Sequence, residues 1–311
     1  MMVLNPLPDP LPLSDKMKKT YIIFSLVILL LPFTLKGQQS PMYTQYMFNK
    51  FVYNPAVAGI DPYFQIRSNH RFQWVGLTDP PMTNSLSYFG PHATLPMGYG
   101  GYIYYDVTGP TSKAGLTGAY AYNIGITDDL RLSMGISLGL MQYRVDGTQI
   151  TIKDKTDLAL DQAVYSSFAF DANFGLYLYS DNYYAGFSTT QLINSKLKLY
   201  GLNKLKTHYY LTGGYMFELN NDFKLEPSLI IKATAPLIFQ LDFNVRVMYM
   251  DMIWLGLSYR TQDALSFLIG YTYDDRIHIG YSYDFTTTDL RKYNSGTHEI
   301  MIGYRFHDIK K

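Results

Sequence analysis

Few side chains in this sequence are equipped for catalysis. Its 311 residues include no cysteine, which removes thiolate metal sites, iron–sulfur clusters, thiol nucleophiles and disulfides together. Six histidines remain: His70, His92, His208, His278, His298 and His307. His278, Ser282 and Asp284 share one parity, so a strand would set them on one face, and they are the residue types a hydrolytic site uses. A polar ladder lining a protein interior needs the same types, and that structural role is the better reading of His278. His298 takes the opposite, apolar register. Asp154, Asp157 and Asp161 suggest calcium, but the glycine and terminal glutamate of an EF-hand loop are missing, and a solvated loop accounts for them better. No Gly-x-Ser-x-Gly elbow, phosphate loop, His-Glu-x-x-His helix or nucleotide fingerprint occurs. The expectation is a protein that is not an enzyme and holds no cofactor or metal.

The elements that position these residues have a period of two. From Arg276 to Phe285, Ile277, Ile279, Tyr281, Tyr283 and Phe285 alternate with Arg276, His278, Gly280, Ser282 and Asp284, so one face is apolar and the other polar or small. Asp129 to Leu140 and Gln240 to Tyr249 repeat the pattern, as do Ala264 to Tyr273 and Thr297 to Phe306. With 47% hydrophobic residues but a mean hydropathy of -0.08, the apolar residues are dispersed, which disfavours a helical membrane bundle. The near balance of 26 basic and 25 acidic side chains argues against nucleic acid as a partner.

Segments near 63–75, 82–90, 97–107, 114–126, 129–145, 170–179, 182–190, 206–219, 222–235, 238–250, 251–261, 264–274, 275–286 and 296–306 make about 14 strands, many close to the length that crosses a bilayer when tilted. From the fourth strand on, every second connection is tight: Thr127-Asp128, Asp181, Asn220-Asn221, Tyr249 to Asp251 and Asp274-Asp275. The intervening set holds the long ones, Asp146 to Ser167, Gln191 to Leu205 and Thr287 to Ser295. A soluble sandwich also alternates, but its strands are shorter and its turns lack this two-sided bias. The fold expected is all-β, a transmembrane outer-membrane barrel of antiparallel strands with tight turns and both termini on the periplasmic side. Tyr209, Tyr210, Tyr271, Tyr273, Tyr281, Tyr283 and Tyr304 suit an aromatic girdle, and outer-membrane lipid is the surrounding partner. Large inward residues, Trp254, Met248 and Arg246, argue for an occluded lumen.

Four regions result. Residues 1–37 read as an upstream extension and signal peptide, because Lys18 and Lys19 precede the apolar run Tyr21 to Phe33 and small or polar residues follow near Gly37. Met1 to Lys16 has no periodicity, and Met17 is the better start. Residues 38–61 form an N-terminal segment on the periplasmic side, 62–306 the barrel, and 307–311 a tail. The 38–61 segment lacks alternation but carries Tyr43, Tyr46, Phe48, Phe51 and Tyr53, so it is expected to be ordered, at the periplasmic mouth or inside the lumen.

Within that segment Pro41-Met42-Tyr43-Thr44-Gln45-Tyr46-Met47-Phe48-Asn49 and Asn54-Pro55-Ala56-Val57-Ala58-Gly59 resemble the N-terminal signature of the PorP/SprF family of outer-membrane proteins of the type IX secretion system. Arg71-Phe72-Gln73-Trp74 is similar to its Arg-x-Gln-Trp on the first strand, Gly98 to Gly109 to its glycine-rich hairpin, and Leu225-Glu226-Pro227-Ser228 to its Pro-Ser strand entry. Gly280 to Asp284 and Gly296 to Ile300 resemble its last two strands. His307 to Lys311 depart from it, since insertion signals commonly finish on an aromatic residue such as Phe306. The resemblance implies a component of protein secretion and gliding that assists export or surface attachment of adhesins. It implies as partners the type IX translocon, periplasmic ring subunits including a peptidoglycan-linked one, and the C-terminal domain of a secreted adhesin.

Tyr43, Tyr46, Phe48, Asn54, Pro55 and Gly59 are candidate partner contacts, the segment serving as a partner-facing or a plug element. In the longest loop Ile152, Leu158 and Leu160, set among charged residues, suit either a partner contact or a lid over the lumen. The competing reading is a passive channel for fatty acids or small solutes.

Overall fold

The computed structural model describes residues 41–149, 163–198, 202–234 and 238–308. The extension and signal peptide, and with them the cleavage site, lie outside these residues, as do Asp154, Asp157, Asp161, Ile152, Leu158 and Leu160. Fourteen antiparallel strands form a closed barrel. They are β1 (Phe64–Phe72), β2 (Met82–Pro91), β3 (Met97–Thr108), β4 (Thr111–Gly125), β5 (Arg131–Asp146), β6 (Val164–Tyr179) and β7 (Tyr183–Thr190), followed by β8 (His208–Tyr215), β9 (Phe223–Thr234), β10 (Ile238–Tyr249), β11 (Ile253–Arg260), β12 (Ala264–Tyr273), β13 (Ile277–Thr286) and β14 (Thr297–Phe306). Each strand pairs with the next in sequence, and β1 closes on β14 from Phe64↔Phe306 to Phe72↔His298. Closure of β1 on β14 removes the open edges a flat sheet would have, as the dry hydrocarbon requires.

Strand number and order follow the sequence pattern, while some bounds do not. β6 begins at Val164 because Asp146↔Val164 extends its ladder with β5; Ser166, Ser167 and the inward Asp171 hide the period there. The loop between β7 and β8 contains a hairpin, Lys196–Lys198 with Leu202–Lys204, too short for alternation to announce. Phe217–Glu218 prolongs the β8 edge beside β9.

At one end all connections are short, and paired aspartates or neighbours make the turns: Met250, Asp251, Asp274 and Asp275 all adopt positive φ between 51° and 54°, a left-handed conformation that Asp tolerates and that matches hairpin twist. The other end carries the longest separations between consecutive strands, β5 to β6 and β7 to β8, though β3 and β4 are joined there by Gly109-Pro110 alone.

Alternation sorts the two faces. Leu138 is 69% exposed on the outside, and Met134 and Ile136 accompany it, whereas its neighbour Ser137 is 4% exposed and faces the lumen. Tyr209, Tyr271, Tyr273, Tyr281 and Tyr304 are exposed on the outer face. Tyr210 is a correction: consecutive strand residues cannot share a face, and it points inward, buried, with its ring 5.3 Å from that of Tyr53.

If Ile136 meets lipid, Ile136→Lys should cost about 2 to 4 kcal/mol of folding free energy in bilayers, and Ile136→Leu under about 1 kcal/mol. Denaturant titration of the two variants checks this; equal stabilities would contradict the outward register.

Candidate functional site

The lumen is occupied by the chain's own residues 41–61. Two short 3-10 turns, Lys50–Val52 and Pro55–Val57, fold this segment. The second starts at Asn54, whose Oδ1 accepts from the Ala56 amide at 2.9 Å while its Nδ2 donates to the Leu176 carbonyl at 2.9 Å, so one amide both caps the turn and ties it to β6. Glycines in the wall let the backbone approach: at Gly98 and Gly135 there is no room for a Cβ against Ala58 and Ala56. Inward hydroxyls and amides bond the segment directly. Ser133 Oγ donates to the Ala56 carbonyl at 2.6 Å, Ser188 Oγ to that of Tyr53 at 2.7 Å, and Asn49 Nδ2 to Asn69 Oδ1 at 2.8 Å. Apolar contact completes the fit, with Phe51 stacked on Phe89 (4.6 Å between centroids) and Phe48 packed at a tilt against Trp254 (4.4 Å).

Toward the long-loop end the segment meets a buried charge cluster. Arg71 reaches Asp284 at 2.7 Å and Glu299 at 3.1 Å; Arg260 reaches Asp263 at 3.0 Å, Asp242 at 3.1 Å and Asp284 at 3.4 Å; Lys232 reaches Asp242 at 2.8 Å. Thr44 sits at its centre. Its hydroxyl accepts from Arg71 Nη1 at 2.8 Å and Arg260 Nη2 at 3.0 Å and donates to Asp284 at 2.8 Å, while its amide donates to Glu299 at 2.7 Å. One threonine thus joins β1, β11, β13 and β14 across the lumen.

Below the segment, at the tight-turn end, the lumen opens into a vestibule of about 540 Å³; a smaller cavity of about 70 Å³ lies beside Pro41 and Tyr53 toward the long-loop end. Lys50 points its ammonium at the Tyr184 ring, 3.5 Å from the centroid. Burial pushes this ammonium below the usual lysine range, against the opposing pull of Glu226. Glu226 itself is paired with Arg246.

The residues singled out from the sequence separate into two groups. Tyr43, Tyr46, Asn54 and Pro55 are buried against the wall, Phe48 packs on Trp254 and Arg246, and Gly59 presses on Gly98 with φ of 74°. They lie inside the barrel, so of the two placements expected, mouth or lumen, residues 41–61 take the lumen, where their aromatics bury more surface than they could at a mouth. Pro41 to Thr44 lie toward the long-loop end while Phe306 ends at the tight-turn end, so the described N-terminal residues do not share the C-terminal side. His278 faces inward as expected, its Nδ1 3.0 Å from Thr272 Oγ1. It does not form a hydrolytic site: four residues along a strand separate it from Ser282 by about 13 Å, and Asp284 is committed to arginines and Thr44. His298 Nδ1 lies 2.7 Å from the Tyr281 hydroxyl on the outer face. Among the described residues no cluster of three or more His, Asp or Glu is arranged to hold a metal. The cluster around Thr44 was missed, although Asp242, Asp284 and Glu299 at inward positions of alternating strands signal it.

Removing one member of a buried ion network leaves the rest uncompensated. Asp284→Asn, which strips the carboxylate from between Arg71 and Arg260, should therefore lower barrel stability by about 3 to 5 kcal/mol. Thermal loss of heat-modifiable mobility on gels reads this, and an unchanged transition would contradict a network that holds the fold.

A family model described as "Type IX secretion system membrane protein PorP/SprF" matches residues 35–304. None of the curated proteins matches the chain. Among solved structures, the "CymD monoaromatic hydrocarbon channel" is similar with a TM-score of 0.50 and 12% identity, covering 88% of this chain and 96% of that one. The Pseudomonas putida toluene transporter TodX has a TM-score of 0.49 and 10% identity over 88% of this chain and 96% of its own. At these identities the likeness to CymD concerns the outer-membrane barrel fold alone.

Proposed function

Because the chain belongs to the PorP/SprF family of type IX secretion system membrane proteins, we propose that it serves protein export from the outer membrane, assisting the secretion or surface attachment of adhesins. The tight turns and the C-terminal end face the periplasm in this reading, as in bacterial barrels generally. Its partners there are the translocon, the periplasmic ring with its peptidoglycan-linked subunit, and the C-terminal domain of the adhesin. The observation that carries the reading is the filled lumen: residues 41–61 and the Thr44 cluster separate the vestibule from the long-loop end, which leaves a barrel suited to organising partners rather than passing solutes. Partner contact through Tyr43, Tyr46, Phe48, Asn54, Pro55 or Gly59 would require the segment to leave the wall. The long loop with Ile152, Leu158 and Leu160 remains the alternative contact, or a lid.

A passive channel is the second reading, favoured by the fold shared with a protein described as a hydrocarbon channel. The two part on deletion of Gln38 to Phe48, which removes Thr44 and the upper plug. Membrane insertion should persist while surface display of the adhesin is lost. Normal display in that deletion would contradict the secretion role, and an intact protein that already conducts in planar bilayers would favour the channel.

A further inference from the structure

The vestibule at the tight-turn end contains two arginines, Arg67 and Arg305, that among the described residues form no ion pair. Arg67 on β1 and His278 on β13 both pair across to Gly303 on β14, and Arg305 lies two residues further along the same inward face. Gly303 interposes no side chain; a Cβ there would run into the Arg67 guanidinium. Arg67 is only 4% exposed, yet among the described residues it has no carboxylate partner. Its one side-chain hydrogen bond runs from Nε to Gln65 Oε1 at 3.0 Å, and Gln65 in turn donates to Asp61 at 2.9 Å, so that the nearby carboxylate is bound to the amide. Arg305 lies over the Tyr63 ring at 4.6 Å, again without a carboxylate. His278 Nε2, Trp254 Nε1 and Arg67 Nη1 make no hydrogen bond within the protein.

The contrast with the other buried arginines of the lumen decides what this means. Arg71 and Arg260 each hold two or more carboxylates, and Arg246 holds Glu226. A desolvated guanidinium without an anion is costly, and its planar fork fits carboxylate or phosphate oxygens. The acids nearest the vestibule's opening, Asp181, Glu218 and Asp275, stand exposed at the rim. They oppose a ligand that is anionic along its length and favour one whose outer part is neutral or basic. Phe48, Met248 and Trp254 supply an apolar flank, and the volume is that of an ordinary small-ligand pocket.

We propose that this vestibule binds an oxyanion, carboxylate or phosphate, borne on a small partly apolar ligand, with Arg67 and Arg305 as its anchors and Trp254 beside it. The site stands on the lumen's own groups and is independent of the secretion role. Trp254 also reports on it, since the chain has only 2 tryptophans and the other, Trp74, follows β1 at the opposite end. In the detergent-purified Trp74→Phe protein, Trp254 emission is titrated with glycerol 3-phosphate, with an acetylated dialanyl-leucine peptide bearing a free carboxylate, and with its C-terminal amide. One oxyanion probe at least should give a saturable change and the amide none; which probe saturates separates phosphate from carboxylate. Arg67→Gln should weaken binding tenfold or more and Arg305→Gln severalfold, whereas Lys113→Gln near the far end should change nothing. If Arg67→Gln yields no heat-modifiable barrel, Arg305→Gln decides alone. No saturable response to either oxyanion, or affinities unchanged by the arginine substitutions, would overturn the proposal.

Discussion

The Thr44 hydroxyl, held between two guanidiniums and a carboxylate, is the interaction on which the arrangement of this barrel depends. A cylinder of fourteen strands satisfies its own backbone but encloses space, and inward side chains alone must then be hydrated or paired. Here Arg71, Arg260, Asp242, Asp284 and Glu299 are all buried, and none could remain charged at such depth without the others. Thr44 supplies an acceptor for both arginines and a donor for Asp284. Its position thereby fixes the start of the segment that fills the rest of the lumen.

From that anchor the segment descends through fitted contacts. Tyr46 meets Ser228, Asn49 meets Asn69, and Ala56 meets Ser133. Small residues on the wall are placed where the backbone passes closest, which is why Gly98 and Gly135 interrupt otherwise regular strands. The outer face shows none of this specificity: Ile136, Leu138 and Leu257 need only be apolar, because lipid selects for transfer free energy rather than shape. The two faces of one strand therefore carry different kinds of information, and the vestibule's Arg67, which has no ion-pair partner among the described residues, belongs to the specific side.

This division explains what could be read in advance. Strand number, order and outward register were legible because a period of two is written into most crossings, as in Asp129 to Leu140. The occupied lumen was foreshadowed by aromatic Tyr43 to Tyr53 without alternation and by inward Trp254. What stayed hidden was the pairing of inward charges. Arg71 and Glu299 are 228 residues apart, and only barrel closure between β1 and β14 makes them neighbours; a single sequence records parity but not which inward charge faces which. The choice between mouth and lumen for the N-terminal segment was hidden for the same reason, since its partners are distributed over ten or more strands' worth of sequence. Tyr210 failed differently: it was grouped with Tyr209 by type when parity alone placed it inside.

The central claim, that residues 41–61 sit in the lumen of the assembled barrel, is tested most directly by cross-linking, for which a chain without cysteine is well suited. Asn49 Nδ2 lies 2.8 Å from Asn69 Oδ1, so an Asn49→Cys, Asn69→Cys double variant brings two thiols within reach of a short thiol–thiol cross-linker only if the segment is seated. A short thiol–thiol cross-linker applied to the membrane-assembled protein should join positions 49 and 69 in most molecules, read by mass spectrometry of the digested chain, while Asn49→Cys paired with Leu138→Cys on the outer face of β5 should not be joined. Two thiols that remain free and react fully with a maleimide in the folded barrel would contradict the account.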